Sequence, residues 1–178
     1  MNQDIAKVLL SEDEISEIIN RLSSEVTKDY KNKNLCLLCV LKGSLIFCAD
    51  LMRRLDFPVE LICISASSYK NATVSSGNVE INSLTDNITG KDVLIIEDIL
   101  DTGNTLSNLI KYLKELSPAS VEICTILDKP SRRVKDISAK YVGSVIPDEF
   151  VVGYGLDYNQ RYRNLPYIGI LKPEIYNN

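Results

Sequence analysis

Val93-Leu94-Ile95-Ile96-Glu97-Asp98-Ile99-Leu100-Asp101-Thr102-Gly103-Asn104-Thr105 is the most informative segment of the chain. Four apolar residues run into two carboxylates, a third carboxylate follows, and Thr-Gly-Asn-Thr then leads into helical periodicity. An apolar run bounded by polar residues predicts a strand buried on both faces. The small, hydroxyl-bearing turn opens a helix whose first backbone N–H groups have no intrahelical partner, which makes an anion site. Carboxylates beside an anion cradle require a ligand that brings positive charge as well, both as a metal and as a developing cationic centre. A sugar phosphate carrying a Mg²⁺-bound pyrophosphate supplies both.

The flanking sequence alternates strand and helix. Ser11-Glu12-Asp13-Glu14 has the form of a capping box and opens an amphipathic helix with Ile15, Ile18, Ile19, Leu22 and Val26 on its apolar face. Asn32-Lys33-Asn34 ends that helix, and Leu35 to Leu41 follows as a buried strand. Lys42-Gly43-Ser44 turns into a second helix ending near Leu55, Asp56-Phe57-Pro58 punctuates, and Val59 to Ser65 is another strand. Ser67 to Asn78 has almost no large apolar residue and predicts a long loop, which in a compact chain is usually functional. Val79 to Leu84 predicts a return strand, a helix runs from about Thr105 to Leu116 before Pro118, and Val121 to Leu127 is the next strand. This order predicts an α/β fold with a mostly parallel central sheet and helices on both faces. The 178 residues suit one domain, with a small hood lobe built from about residue 140 to 178 and the N-terminus as a further candidate part of it. In such sheets ligands bind at the carboxyl ends of the strands. Lys42-Gly43, the Ser67–Asn78 loop, Glu97–Thr105 and Lys129 all follow strand ends, so a shared cleft is expected.

Composition removes several classes of function. The net charge of −4 argues against a nonspecific nucleic-acid binder. No charged n-region and long apolar h-region open the sequence, and its apolar runs fall far short of the roughly 20 residues of a spanning helix. The expectation is therefore a cytoplasmic protein with no membrane partner. Five cysteines, an odd number, sit mostly inside apolar runs. Cys36 and Cys39 match CxxC by spelling, but residues three apart on a strand point to opposite faces. Buried reduced thiols are the expectation. With no histidine in the chain, there is no Ser-His-Asp or Cys-His pair and no imidazole ligand, so proton transfer falls to Asp, Glu, Lys or Tyr.

At Val93–Thr105 the chain resembles the type I phosphoribosyltransferases, whose signature is an apolar strand, two acidic residues, two more residues and then Asp-Ser/Thr-Gly-x-Thr. Leu41-Lys42-Gly43, Ser68-Tyr69, Lys129 after an apolar strand, and Phe150-Val151-Val152-Gly153-Tyr154-Gly155-Leu156-Asp157-Tyr158-Asn159 extend the resemblance from about Leu35 to Leu171. The last segment is the most discriminating and points to the hypoxanthine-guanine branch of that family. Asn104 stands where some relatives have Lys and looks like the bacterial variant.

The resemblance implies transfer of a 5-phosphoribosyl group from phosphoribosyl pyrophosphate to a 6-oxopurine, with Mg²⁺ as cofactor and a homodimer or homotetramer as the assembly. It gives Asp101 the role of base toward purine N7. Glu97 and Asp98 hold the ribose hydroxyls and, through them or water, the metal, with Asp157 near a second ion. Thr102, Gly103, Asn104 and Thr105 form the 5′-phosphate cradle, Lys42 and Gly43 the pyrophosphate loop, and Arg163 a pyrophosphate contact. Ser68 and Tyr69 belong to the closing lid. Lys129 donates to O6, Phe150 stacks on the purine, and Val151 and Asp157 complete the purine site. The resemblance does not rank hypoxanthine, guanine and xanthine.

Taken singly these residues have ordinary readings as well. Lys42-Gly43 is a common turn, Lys129 before Pro130 a loop lysine, Phe150 a core ring, and Arg163 a solvated charge. Arg132, Arg133 and Lys135 read as a solvated loop or subunit contact. A receiver-type signalling domain also gathers an acidic pair, an Asp and a Lys, but there the pair follows the first strand. An RNA-binding regulator on the same scaffold would keep the cradle and needs an extended basic face. A xanthine-preferring or pyrimidine-specific relative is the nearest enzymatic alternative.

Overall fold

Ser11 acts as its place in the motif predicts. Its side chain accepts from Glu14 N at 3.3 Å while Glu14 Oε2 accepts from Ser11 N at 2.7 Å, which closes the capping box and starts helix α1, Glu12–Tyr30. The computed structural model describes residues 2–65 and 87–176. Beyond α1 it contains β1 (Ile5–Leu10), β2 (Leu35–Leu41), α2 (Leu45–Met52), β3 (Glu60–Ser65), β4 (Asp92–Leu100) and α3 (Asn104–Glu115). β5 (Ser120–Asp128), β6 (Tyr141–Val145), β7 (Val151–Val152), β8 (Ile168–Leu171) and α4 (Pro173–Tyr176) complete it. The loop over Ser67–Asn78 and the strand over Val79–Leu84, both expected from the sequence, lie outside the described residues.

Five strands form a parallel sheet in the order β3-β2-β4-β5-β6. Leu35–Cys39 pair with Asp92–Ile96, so the two most apolar segments of the chain lie side by side at the centre. α1 and α2 cover one face through Ile15, Ile19, Leu22, Phe47 and Leu51, and α3 covers the other through Leu106, Leu109 and Leu113. Both faces of the sheet are thus buried, the reason its strands read as continuous apolar runs. Cys36 and Cys39 fall into the two opposite cores, as their spacing predicts. The chain pairs β3 on one side of β2 and β4 on the other. That reversal is the topological switch point at which open α/β sheets bind ligands.

A second, antiparallel sheet, β1-β8-β7, carries the smaller lobe. Tyr141–Val145, expected in that lobe, is instead the parallel edge strand of the main sheet, paired with Cys124–Asp128. Tyr141 is buried against α1 and its ring meets Tyr30 at 6.3 Å between centroids, so burial there outweighs the short, turn-rich look of the tail. Cys63 also departs from expectation: it lies exposed on edge strand β3, whereas the other four cysteines are buried, and none of the five forms a disulfide. No helix of the described residues is long and apolar enough to cross a membrane.

Candidate active site

Where β2 and β4 part, their ends supply opposite walls of one cavity of about 270 Å³. β2 runs into Leu41-Lys42-Gly43, with the Leu41–Lys42 peptide cis. Fully buried Ser44 donates to Val40 O at 2.7 Å and fixes this turn. Gly43 faces Asp98 so closely that a Cβ there would lie 1.5 Å from Asp98 Oδ2, so any side chain at this position would have to displace the Asp98 carboxylate. β4 brings Glu97 and Asp98 to the same cavity, and the turn that follows contributes Asp101, Thr102, Gly103 and Thr105. Gly103, at φ +80°, ends that turn and caps α3, whose first turn adds Thr105 and Leu106 to the cavity wall and whose first backbone N–H groups have no intrahelical partner. Asn104 donates its N–H to Thr102 Oγ1 at 3.4 Å, is itself exposed, and is not among the residues that wall the cavity.

Burial and the facing Asp98 carboxylate push Glu97 well above the usual carboxylate range. Burial also pushes Asp98 up, opposed by hydrogen bonds with Glu97 and the Ile99 N–H and by the nearby Arg163. Among the described residues, Glu97 Oε2 is a buried oxygen with no hydrogen-bond partner. Two crowded carboxylates, one with an idle oxygen, form a hard-oxygen site suited to a cation or to sugar hydroxyls. No three His, Cys, Asp or Glu side chains converge as a closed metal cage among the described residues. Asp157 is committed elsewhere, to Arg163 Nη2 at 2.6 Å and Gln160 N at 2.8 Å.

Asp157 and Arg163 enter from the smaller lobe. Arg163 also donates to Gly155 O at 2.7 Å, and a Cβ on Gly155 would lie 2.0 Å from Gly43 O, so this loop seats directly on the β2 turn. A second cavity, of about 470 Å³, adjoins the first and shares Ile99, Asp101 and Asp157 with it. Its further walls include Lys129, Phe150, Val151 and Leu156. Lys129, 8% exposed, donates to Glu149 O at 2.5 Å and lies 3.7 Å from Asp148 Oδ1. Phe150 is 38% exposed, too open for a core ring.

The structure thus gathers Lys42, Gly43, Glu97, Asp98, Asp101, Thr102, Gly103, Thr105, Asp157 and Arg163 around one cavity and Lys129, Phe150 and Val151 around its neighbour. Ser68 and Tyr69 lie outside the described residues. Two arginines that the sequence reads as a solvated loop or subunit contact touch the site. Arg132 pairs with Asp101 Oδ1 at 3.2 Å. Arg133 donates to Asp101 O at 2.9 Å, Leu100 O at 3.1 Å and Ile137 O at 2.8 Å, and pairs with Asp128, so the solvated reading fails for this residue. It clamps the backbone that carries Asp101. Its spacing from Asp101 carries no periodic signal; only the adjacency of β4 and β5 brings them together.

Fold and site together define the class. The phosphoribosyl transferase domain family matches residues 7–159, and the chain belongs to that family. It is 52% identical over 179 residues to a hypoxanthine-guanine phosphoribosyltransferase of Staphylococcus aureus, covering the whole of both chains. It is 54% identical over 177 residues to the bifunctional protein TilS/HprT of Listeria monocytogenes, covering 99% of this chain and 27% of that protein's length. A crystal structure of a hypoxanthine phosphoribosyltransferase from Staphylococcus aureus superposes with a TM-score of 0.91 at 52% identity, covering 100% of this chain and 97% of that one.

Proposed function

We propose that this chain transfers the 5-phosphoribosyl group of phosphoribosyl pyrophosphate to N9 of hypoxanthine or guanine, releasing pyrophosphate and IMP or GMP. The observation that carries this reading is Asp101 on the shared wall of two cavities, one built for anions and sugar hydroxyls and the other for a flat, polar-edged ring.

The reaction breaks the C1–O bond to pyrophosphate as N9 attacks, and the ribose passes through an oxocarbenium-like state. The chain's residues meet each charge that develops. The Thr102–Thr105 turn and the start of α3 bind the 5′-phosphate through hydroxyl and N–H donors. Lys42 and the backbone of Gly43, with Arg163, receive the pyrophosphate; the guanidinium fork suits a phosphate's paired oxygens. Glu97 and Asp98 accept from the ribose hydroxyls and place negative charge beside the cationic sugar. Asp101, on the wall shared by both cavities, takes the proton from purine N7, a carboxylate doing the work of a base in a chain without histidine. Lys129 keeps donors beyond the one given to Glu149 O; they favour a carbonyl at C6 and meet adenine's amino group donor to donor. Phe150 stacks on the ring, and the Val151 backbone meets its Watson–Crick edge.

The idle Glu97 oxygen and the Asp98 carboxylate fit Mg²⁺, which is commonly bound by one or two carboxylates together with substrate phosphates. When bound, the ion neutralises the charge that builds on the departing pyrophosphate. Asp157, held by Arg163, would reach a metal through water. A homodimer or homotetramer in the cytoplasm completes the reading, and sedimentation checks the assembly.

The test is product formation from phosphoribosyl pyrophosphate with hypoxanthine, guanine, xanthine, adenine and uracil in turn, with and without Mg²⁺. Metal-dependent IMP and GMP, and no AMP or UMP, are expected. A chain that forms no nucleotide from any base is not this enzyme.

A further inference from the structure

Phe150 has little of the core around it to hold its ring, being 38% exposed. Its support comes from two tyrosines. Tyr176 stacks on it, with ring centroids 4.9 Å apart and planes at 22°, and Tyr158 meets it edge-on at 5.7 Å and 87°. Tyr176 also walls the cavity that holds Lys129 and Asp157.

The two stacked rings are coupled through the backbone. Leu171 N donates to Phe150 O at 2.9 Å, and Val151 pairs with Ile170 across β7 and β8. Lys172 N donates to Asp4 O at 2.9 Å, and Ile175 packs on the small core of Val152, Tyr162, Leu165 and Leu171. α4 is therefore anchored on both sides, and its last residue is delivered to Phe150 rather than to solvent. A half-exposed ring that must be fixed when a base stacks on it loses side-chain freedom at that moment. A neighbour already stacked on the ring removes that loss before the base arrives.

We propose that Tyr176 is a positioning residue for the base. It backs Phe150 and sets the plane on which the purine stacks, so it acts on purine affinity and leaves the sugar-phosphate half untouched. The inference rests on the 6-oxopurine reading above. Stacking between aromatic rings predicts a purine KM raised roughly two- to twelvefold in Tyr176→Ala. The KM for phosphoribosyl pyrophosphate and kcat stay at wild-type values, and Tyr176→Phe, which keeps the ring, restores the purine KM.

The experiment is steady-state kinetics of the whole chain and both variants, with each substrate varied in turn and melting curves alongside. An unchanged purine KM in Tyr176→Ala overturns the inference. A lowered one does so too, since the tyrosine would then occupy the place of the base. So does a rise in both KM values accompanied by a lower melting temperature, which is general loosening of the lobe. A wild-type chain that forms no nucleotide defeats the transferase reading and the inference with it, whereas an active wild type with an unmoved Tyr176→Ala variant defeats the inference alone.

Discussion

In the proposed reaction Asp101 is the base of a chain without an imidazole. Its carboxylate meets Arg132 at 3.2 Å, and its carbonyl is fixed by Arg133 at 2.9 Å. Asn has the same shape and lacks the basicity. Asp101→Asn should therefore lower kcat by roughly 10²–10⁴-fold, the range for losing a general base, with phosphoribosyl pyrophosphate affinity nearly unchanged. Stopped-flow turnover and equilibrium titration check the two halves separately, and equal losses in both would remove the proton role. Lys129 makes the complementary prediction for specificity. Removing a charged donor to O6 costs about 1.5–3 kcal/mol, so Lys129→Ala should lose roughly 10–150-fold in kcat/KM for hypoxanthine and narrow the ratio to adenine. Competition between the two bases in one reaction reads that ratio directly.

At the scale of the elements, β6 and α1 are joined by a polar clasp at the edge of the sheet. The Tyr141 hydroxyl donates to Asp29 Oδ2 at 2.6 Å, and Lys140 Nζ reaches the same oxygen at 2.8 Å. The hydrogen bonds from Lys140 and Tyr141 hold Asp29 below its ordinary value of 3.8. A carboxylate with a depressed folded-state pKa adds stability that is complete above the unfolded value and disappears as pH falls through the folded one. Tyr141→Phe should thus melt about 2–4 °C lower near neutral pH, the equivalent of about 1 kcal/mol, with the gap closing below about pH 4. Urea midpoints of both proteins across pH 2–7 measure this, and a gap independent of pH would assign the effect to packing. The same clasp shows where sequence reading reached its limit. Ser11 and Glu14 cap α1 through a local bond three residues long, and β2 and β4 declare themselves by uninterrupted apolar runs; both are legible without a partner. Tyr141–Val145 looks like lobe because its burial depends on α1, more than a hundred residues earlier in the chain. Ile5–Leu10 became a strand only by pairing with Ile168–Leu171 at the far end of the chain. The acidic triplet and the Thr-Gly-Asn-Thr turn were legible for the same local reason as the cap, while Arg132, Arg133 and Tyr176 act through contacts that no short pattern encodes.

Across the whole molecule, the site is a junction between two sheets. The large sheet offers the anion cradle and the acidic strand end, and the small one lays Phe150, Asp157 and Arg163 over them. Contact between Gly155 and Gly43 holds the lobes at a distance at which the two cavities share Asp101. The Thr102–Gly103 turn and Thr105 line one cavity, and Lys129 and Phe150 line the other. The account therefore requires a single nucleotide to span both, and a crystal structure of the chain grown with GMP tests this most directly. It should show the 5′-phosphate on the Thr102–Thr105 turn, the ribose hydroxyls on Glu97 and Asp98, and the guanine on Phe150 with O6 toward Lys129. GMP bound with its phosphate away from that turn, or with its base outside the Lys129–Phe150 wall, would contradict it.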